Sequence, residues 1–158
     1  MTKGISWIRY RNVKYHFKKF QEDHSGLVPY RTEWMVYDEP HMFAGSIDMV
    51  FENSDGTLEI YDWKRCKSID KSPKFNKYAK TSIISHLPDT NYWHYSLQLN
   101  TYKAIIEKNY GKKVTGMYLI CLHPVNECGS YIKIKVPVLD KEIEDLFELR
   151  KSNLNKKQ

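Results

Sequence analysis

The sequence predicts a mixed α/β domain, a central mixed sheet flanked by helices in the order α-β-β-β-α-β-β-α. Three observations predict it: helical periodicity at both ends and in the middle, three strand-like segments separated by turn signals, and two more strand-like segments after the middle helix. Residues 5–22 place Ile5, Ile8, Tyr15 and Phe20, with Trp7, Tyr10 and Phe17, at the spacings of a basic amphipathic helix that closes near Ser25-Gly26. Residues 32–37, 42–52 and 58–67 read as an antiparallel meander, joined by Asp38-Glu39-Pro40 and by Asn53-Ser54-Asp55-Gly56. A helix from Asn91 to Asn109 follows, stopped by Tyr110-Gly111. Strands at 113–122 and 131–137 surround a turn at Asn126 to Gly129. Leu139 to Asn153 closes the chain as a charged helix with Ile143, Leu146, Phe147 and Leu149 as its apolar stripe. No internal repeat interrupts this order, so residues 1–158 are expected to form one domain with its core in 32–136.

Composition narrows the chemistry. A formal charge of +6 and a pI near 9.1 suit a polyanionic partner. Three cysteines, Cys66, Cys121 and Cys128, with no C-x-x-C pair, point to a reducing compartment rather than a disulfide framework. Cys121, His123 and Cys128 do not make up four zinc ligands at proper spacing, so no zinc is expected. No apolar run reaches membrane-spanning length and the N-terminus lacks the apolar core of a signal peptide. A soluble, intracellular protein without a membrane partner is the expectation.

Residues 42–67, MFAGSIDMVFENSDGTLEIYDWKRCK, carry the strongest functional signal. Asp48 interrupts an apolar strand between Ile47 and Met49-Val50-Phe51, and Asp62 and Lys64 end a second strand around Trp63. Alternation along a strand turns Asp62 and Lys64 to the side of Leu58 and Ile60. Two carboxylates and an ammonium thus arrive at the rim of a core, where a buried unpaired charge costs several kcal/mol, on the order of a broken buried ion pair. A divalent cation would satisfy both acids.

Gly45-Ser46-Ile47-Asp48, then Asp62-Trp63-Lys64, then Gln98-Leu99-Asn100-Thr101-Tyr102 resembles the PD-(D/E)XK nucleases, specifically the RecB-like branch, which show G-x-x-D, D-x-K and Q-x-x-x-Y in this order. The wording around these motifs also resembles nucleases of large DNA viruses and some phages, for which a host cytoplasm or nucleus would be the setting. The resemblance implies a restriction-endonuclease-like sheet and magnesium- or manganese-dependent hydrolysis of DNA phosphodiesters, with exonuclease action on single strands or duplex ends slightly preferred. It implies one or two ions held by Asp48, Asp62 and the backbone carbonyl of Trp63, with Glu33 as a third acid from the preceding strand. Lys64 would then orient or deprotonate the attacking water, or neutralise the acids, while Gln98 and Tyr102 support the site from one helix face. Glu33 could instead pair with Arg31 or a neighbouring lysine. Some relatives carry an iron–sulfur cluster on four cysteines, which this chain cannot supply. It also departs from the pattern in having no convincing equivalent of the histidine ligand that relatives bring from an upstream helix; His16 and His24 lie there as ordinary helix residues. The rival expectation is a nucleic-acid-binding module that keeps the fold without turnover. Association of copies of the chain stays open.

The stretch 65–91 is expected to be a substrate-facing loop. From Lys64 to Lys80 the chain carries Lys64, Arg65, Lys67, Lys71, Lys74, Lys77 and Lys80 against one acid, Asp70, with Phe75 and Tyr78 interleaved. Such a segment attracts a phosphate backbone and offers rings to unpaired bases, ordering at least partly on nucleic acid, and nothing in it reads base identity.

Overall fold

A computed structural model describes residues 3–124, 126 and 128–156, with the side chains of residues 3–12 and of Lys74 outside the described set. The elements follow in the predicted order: α1 (Lys3–Asp23), β1 (Val28–Asp38), β2 (Phe43–Glu52), β3 (Leu58–Lys64), α2 (Asn91–Tyr110), β4 (Val114–Cys121), β5 (Ile132–Lys135) and α3 (Asp140–Asn155). The strands form one sheet in the order β1-β2-β3-β4-β5. β2 runs antiparallel to both its neighbours, β1 and β3, and β5 runs antiparallel to β4. The β3-to-β4 connection contains α2, a crossover that lets these two strands run parallel.

Two turns follow from single residues. In the β2–β3 hairpin Gly56 has φ 80°, and the Asp55 carboxylate accepts from both the amide and the hydroxyl of Thr57. Gly111, at φ 63°, ends α2 in the left-handed conformation that favours glycine. Boundaries move where pairing decides them. β1 begins at Val28 rather than 32, because Val28 pairs with Glu52 beyond an irregularity between Pro29 and Arg31. β3 stops at Lys64 rather than 67, where the chain leaves the ladder.

Both faces of the sheet are covered, which explains the nearly continuous apolar runs of β3 and β4. On one face Leu99, Tyr102, Ile105 and Ile106 of α2 pack with Ile47, Val50, Leu58, Ile60 and Leu119. On the other, Phe20 of α1 packs with Met49, Phe51, Tyr61, Ile120 and Leu122. The described inward residues of α1 are Val13, His16 and Phe20, whereas Tyr15 is 57% exposed, so the predicted stripe is rotated by one position there. Ile5, Trp7, Ile8 and Tyr10 of that stripe lie outside the described side chains. α3 docks through the buried Asn100, whose amide donates to the carbonyls of Ser96 and Pro137 and whose Oδ1 accepts from the Leu139 amide.

The hairpin tip after β1 is a 3-10 turn, Glu39–His41, tied to the helices by fully buried Asp38. Asp38 pairs with His41 and, at 2.9 Å, with Lys108 of α2, while His41 stacks on Phe147 of α3 with ring centroids 4.7 Å apart. No helix among the described residues is long and apolar enough to cross a membrane.

Candidate active site

The site lies where β2 and β3 part. Their last pair at this end is Met49 with Tyr61, so the next residues, Asp48 and Asp62, stand across the opening fork. β3 stays in register with β4 as far as Lys64 and Cys121. The Trp63 amide, without a β2 carbonyl in that register, donates to Asp48 Oδ2 at 2.9 Å. A side-chain carboxylate therefore closes the ladder where the backbone no longer does.

Asp62 is 5% exposed. Lys64 Nζ approaches its Oδ2 to 2.5 Å, yet that oxygen has no aligned hydrogen-bond donor. The contact is thus an ion pair of poor hydrogen-bond geometry, and the buried oxygen keeps acceptor capacity. Burial pushes the Asp62 carboxyl above its ordinary range, the neighbouring Asp48 adds to this, and Lys64 opposes both.

α2 supplies the roof. Tyr95, Gln98 and Tyr102 are three and four residues apart and share one helix face. Lys64 Nζ lies 4.1 Å from the Tyr95 ring centroid. Gln98 Nε2 donates to the Tyr102 hydroxyl at 3.2 Å. The Tyr102 ring rests on Gly45, where a Cβ would come within 2.6 Å of Cε1. The glycine of the first motif therefore makes room for the tyrosine of the third, and the structure gathers Gly45, Asp48, Asp62, Lys64, Gln98 and Tyr102 around the fork. Tyr95 escaped the sequence reading. Its only signal was position, one helical turn before Gln98 on the same face.

Glu33 is placed opposite Asp48 by the flanking pairs Thr32 with Met49 and Trp34 with Ile47. It is exposed, and its φ of 48° is a left-handed conformation that a glutamate adopts at a cost of ~1–2 kcal/mol. Arg31 does not take it up; its guanidinium sits 5.6 and 5.5 Å from the ring centroids of Tyr30 and Trp34. His16 is buried, and its Nδ1 has no partner among the described residues; His24 packs its ring on Phe20. Among the described residues no three His, Cys, Asp or Glu side chains gather into a metal cage, so Asp48 and Asp62 stand as a pair.

The basic stretch after Lys64 is knitted rather than loose. Asn91 accepts from the Asp70 amide and donates to the Ser68 carbonyl, Trp93 donates to the Lys71 carbonyl, and Tyr78 and Pro88 form an antiparallel bridge. Ile84 and Leu87 anchor it from below. Arg65, Lys67, Lys71, Lys77 and Lys80 are exposed on it, while the Lys74 side chain lies outside the described residues. Phe75, 92% exposed, and Asn76 both have left-handed backbones, at φ 62° and 50°, and Tyr78 is 48% exposed. Behind Lys64, Cys121 donates its thiol to the Cys66 carbonyl at 3.0 Å, and burial with the adjacent Cys121 pushes the Cys66 thiol up to about 11. Cys66 is thus a protonated, inert thiol at neutral pH.

No protein-family model matches the chain, and no curated protein matches it either. Solved structures do. A crystal structure at 2.19 Å resolution of a protein from Eubacterium rectale, described as a "Putative exonuclease", superposes with a TM-score of 0.54 at 14% identity, over 93% of this chain and 52% of that one. This chain thus spans about half the length of that protein, and the two share a fold.

Proposed function

We propose that this chain is a metal-dependent deoxyribonuclease of the PD-(D/E)XK type, RecB-like branch, hydrolysing phosphodiesters with a preference for single strands or duplex ends. The observation that carries the proposal is the convergence of Asp48, Asp62 and Lys64 at one fork in the sheet under Gln98 and Tyr102. The donor set suits magnesium or manganese: two carboxylates, one with a buried oxygen that lacks an aligned donor, are what such hard cations use alongside waters and substrate phosphate. Asp48, Asp62 and the Trp63 carbonyl would hold one or two ions, and Glu33, opposite Asp48, would complete the set by swinging from its exposed position. When bound, the ion polarises the scissile phosphate and acidifies a water. Lys64 as an ammonium would orient that water and offset the negative charge growing on the phosphate; only after giving up its own proton would it take the water's. Gln98 holds the Tyr102 hydroxyl and keeps its own carbonyl oxygen for the site. Arg65, Lys67, Lys71, Lys77 and Lys80, with Lys74, hold the phosphate backbone, and Phe75 and Tyr78 offer their rings to unpaired bases.

One observation favours a second reading, a binding module without turnover: among the described residues no third His, Cys, Asp or Glu side chain stands with the acid pair. Incubation with labelled single- and double-stranded DNA in magnesium, manganese or EDTA, beside Lys64→Ala, separates the two. The nuclease reading expects metal-dependent degradation that falls at least ~100-fold in the variant. Binding that survives in both proteins without cleavage in any metal selects the module.

A further inference from the structure

We propose that Tyr95 is the positioning residue for Lys64, a role that rests on the nuclease reading above. Among the described residues the Lys64 ammonium has two partners, the buried Asp62 oxygen at 2.5 Å and the Tyr95 ring at 4.1 Å from its centroid. They are not equivalent. The Asp62 oxygen is the atom offered to a divalent cation, and a cation there repels the ammonium. The ring is then the contact that limits where Nζ goes, at the end of a side chain with four rotatable bonds.

The ring is itself held. It is half-buried on the first turns of α2, and that end of the helix is tied to the chain leaving β3 by the Asn91 bonds to Asp70 and Ser68 and by the Trp93 bond to Lys71. Both sides of the Lys64–Tyr95 contact are thus fixed to one frame. A ring face attracts an ammonium without taking a proton from it or competing for the metal, which an acid in the same place would do. The attraction is to the face, so phenylalanine keeps it and leucine, of comparable bulk, does not.

The test uses the full chain with Tyr95→Phe and Tyr95→Leu and three readouts. These are single-turnover cleavage in magnesium, DNA affinity in EDTA, and the ring-current shift of the Lys64 ε-methylene protons by NMR with and without magnesium. The expected result is cleavage within about twofold of the unsubstituted protein for phenylalanine and a loss of about tenfold for leucine, the usual reach of a partly desolvated cation–π contact. DNA affinity stays level in both, and the upfield shift disappears in the leucine variant alone. Leucine cleaving at the unsubstituted rate, equal losses in the two variants, or a loss that tracks DNA affinity overturns the role while leaving the nuclease reading intact. Absence of cleavage by the unsubstituted protein in any metal ends both.

Discussion

Asp62 illustrates how a residue can be needed and unwelcome at once. Its folded carboxyl is raised above the ordinary value, first by burial, so its contribution to stability is complete below pH 3.8 and is lost as pH rises through the folded pKa. At neutral pH the ionised form is a cost to the fold. Asp62→Asn is therefore expected to melt, in EDTA, no lower than the unsubstituted protein while losing cleavage; a clear fall in Tm would show that the Lys64 pair stabilises after all. Asp48, Asp62 and Lys64 were legible because charges interrupting apolar strands are conspicuous. Tyr95 was not, because an aromatic at helical spacing looks the same whether it fills a core or faces an ammonium. Nor was the burial of His16, which follows from the rotation of α1 on the sheet and not from its basic neighbours.

At the scale of elements, β2 and α2 set the site and the segment between β3 and α2 sets the surface around it. Gly45 under Tyr102 fixes how closely α2 approaches β2, so the helix that carries Tyr95 and Gln98 is indexed to the strand that carries Asp48. Phe75 is 92% exposed on a left-handed backbone within a tied segment, and in the proposed function its ring serves for stacking. Phe75→Ala is expected to weaken binding of single-stranded DNA by ~1–3 kcal/mol and to leave duplex interior binding unchanged, measured by titration in EDTA. Each of Lys67, Lys71 and Lys77 replaced by alanine should flatten the salt dependence of single-strand affinity by about 0.7 in the log–log slope if it touches a phosphate. The helix and strand order was legible from periodicity and turn residues, and Gly56 and Gly111 stop their elements where expected. The bridges that tie residues 68–91 were not, since Asn91, Trp93 and the Tyr78–Pro88 bridge act across distances that no local pattern reports.

For the molecule as a whole, the sheet carries helices on both faces, β2 and β3 part beside the acid pair, and the helix α2 is braced by buried charge. Asp38 is the centre of that brace. Burial alone would raise its pKa, but Lys108, His41 and Asn109 together outweigh it and pull it down to about 2. A depressed carboxylate contributes stability that is present above its ordinary value of 3.8 and is lost as pH falls through about 2. The gap is worth at most ~2 kcal/mol, since Lys108 is half in water. Melting curves from pH 5 to pH 2 should therefore fall more steeply for the unsubstituted protein than for Asp38→Asn, which begins less stable and has less to lose. None of this was legible beforehand: Asp38-Glu39-Pro40 reads as a turn, and only the packing of α2 and α3 against the hairpin tip turns it into a buried network.

The hydrogen bond from the Trp63 amide to Asp48 makes one backbone proton a clock for the acid pair. In a sheet interior such a proton exchanges with solvent only when the ladder opens, but this one is guarded by a carboxylate that a cation would recruit. Its exchange rate in deuterated solvent therefore answers to occupancy of the fork: slow while Asp48 holds it, faster if an ion draws that oxygen away, and unchanged if the ion takes only the other oxygen.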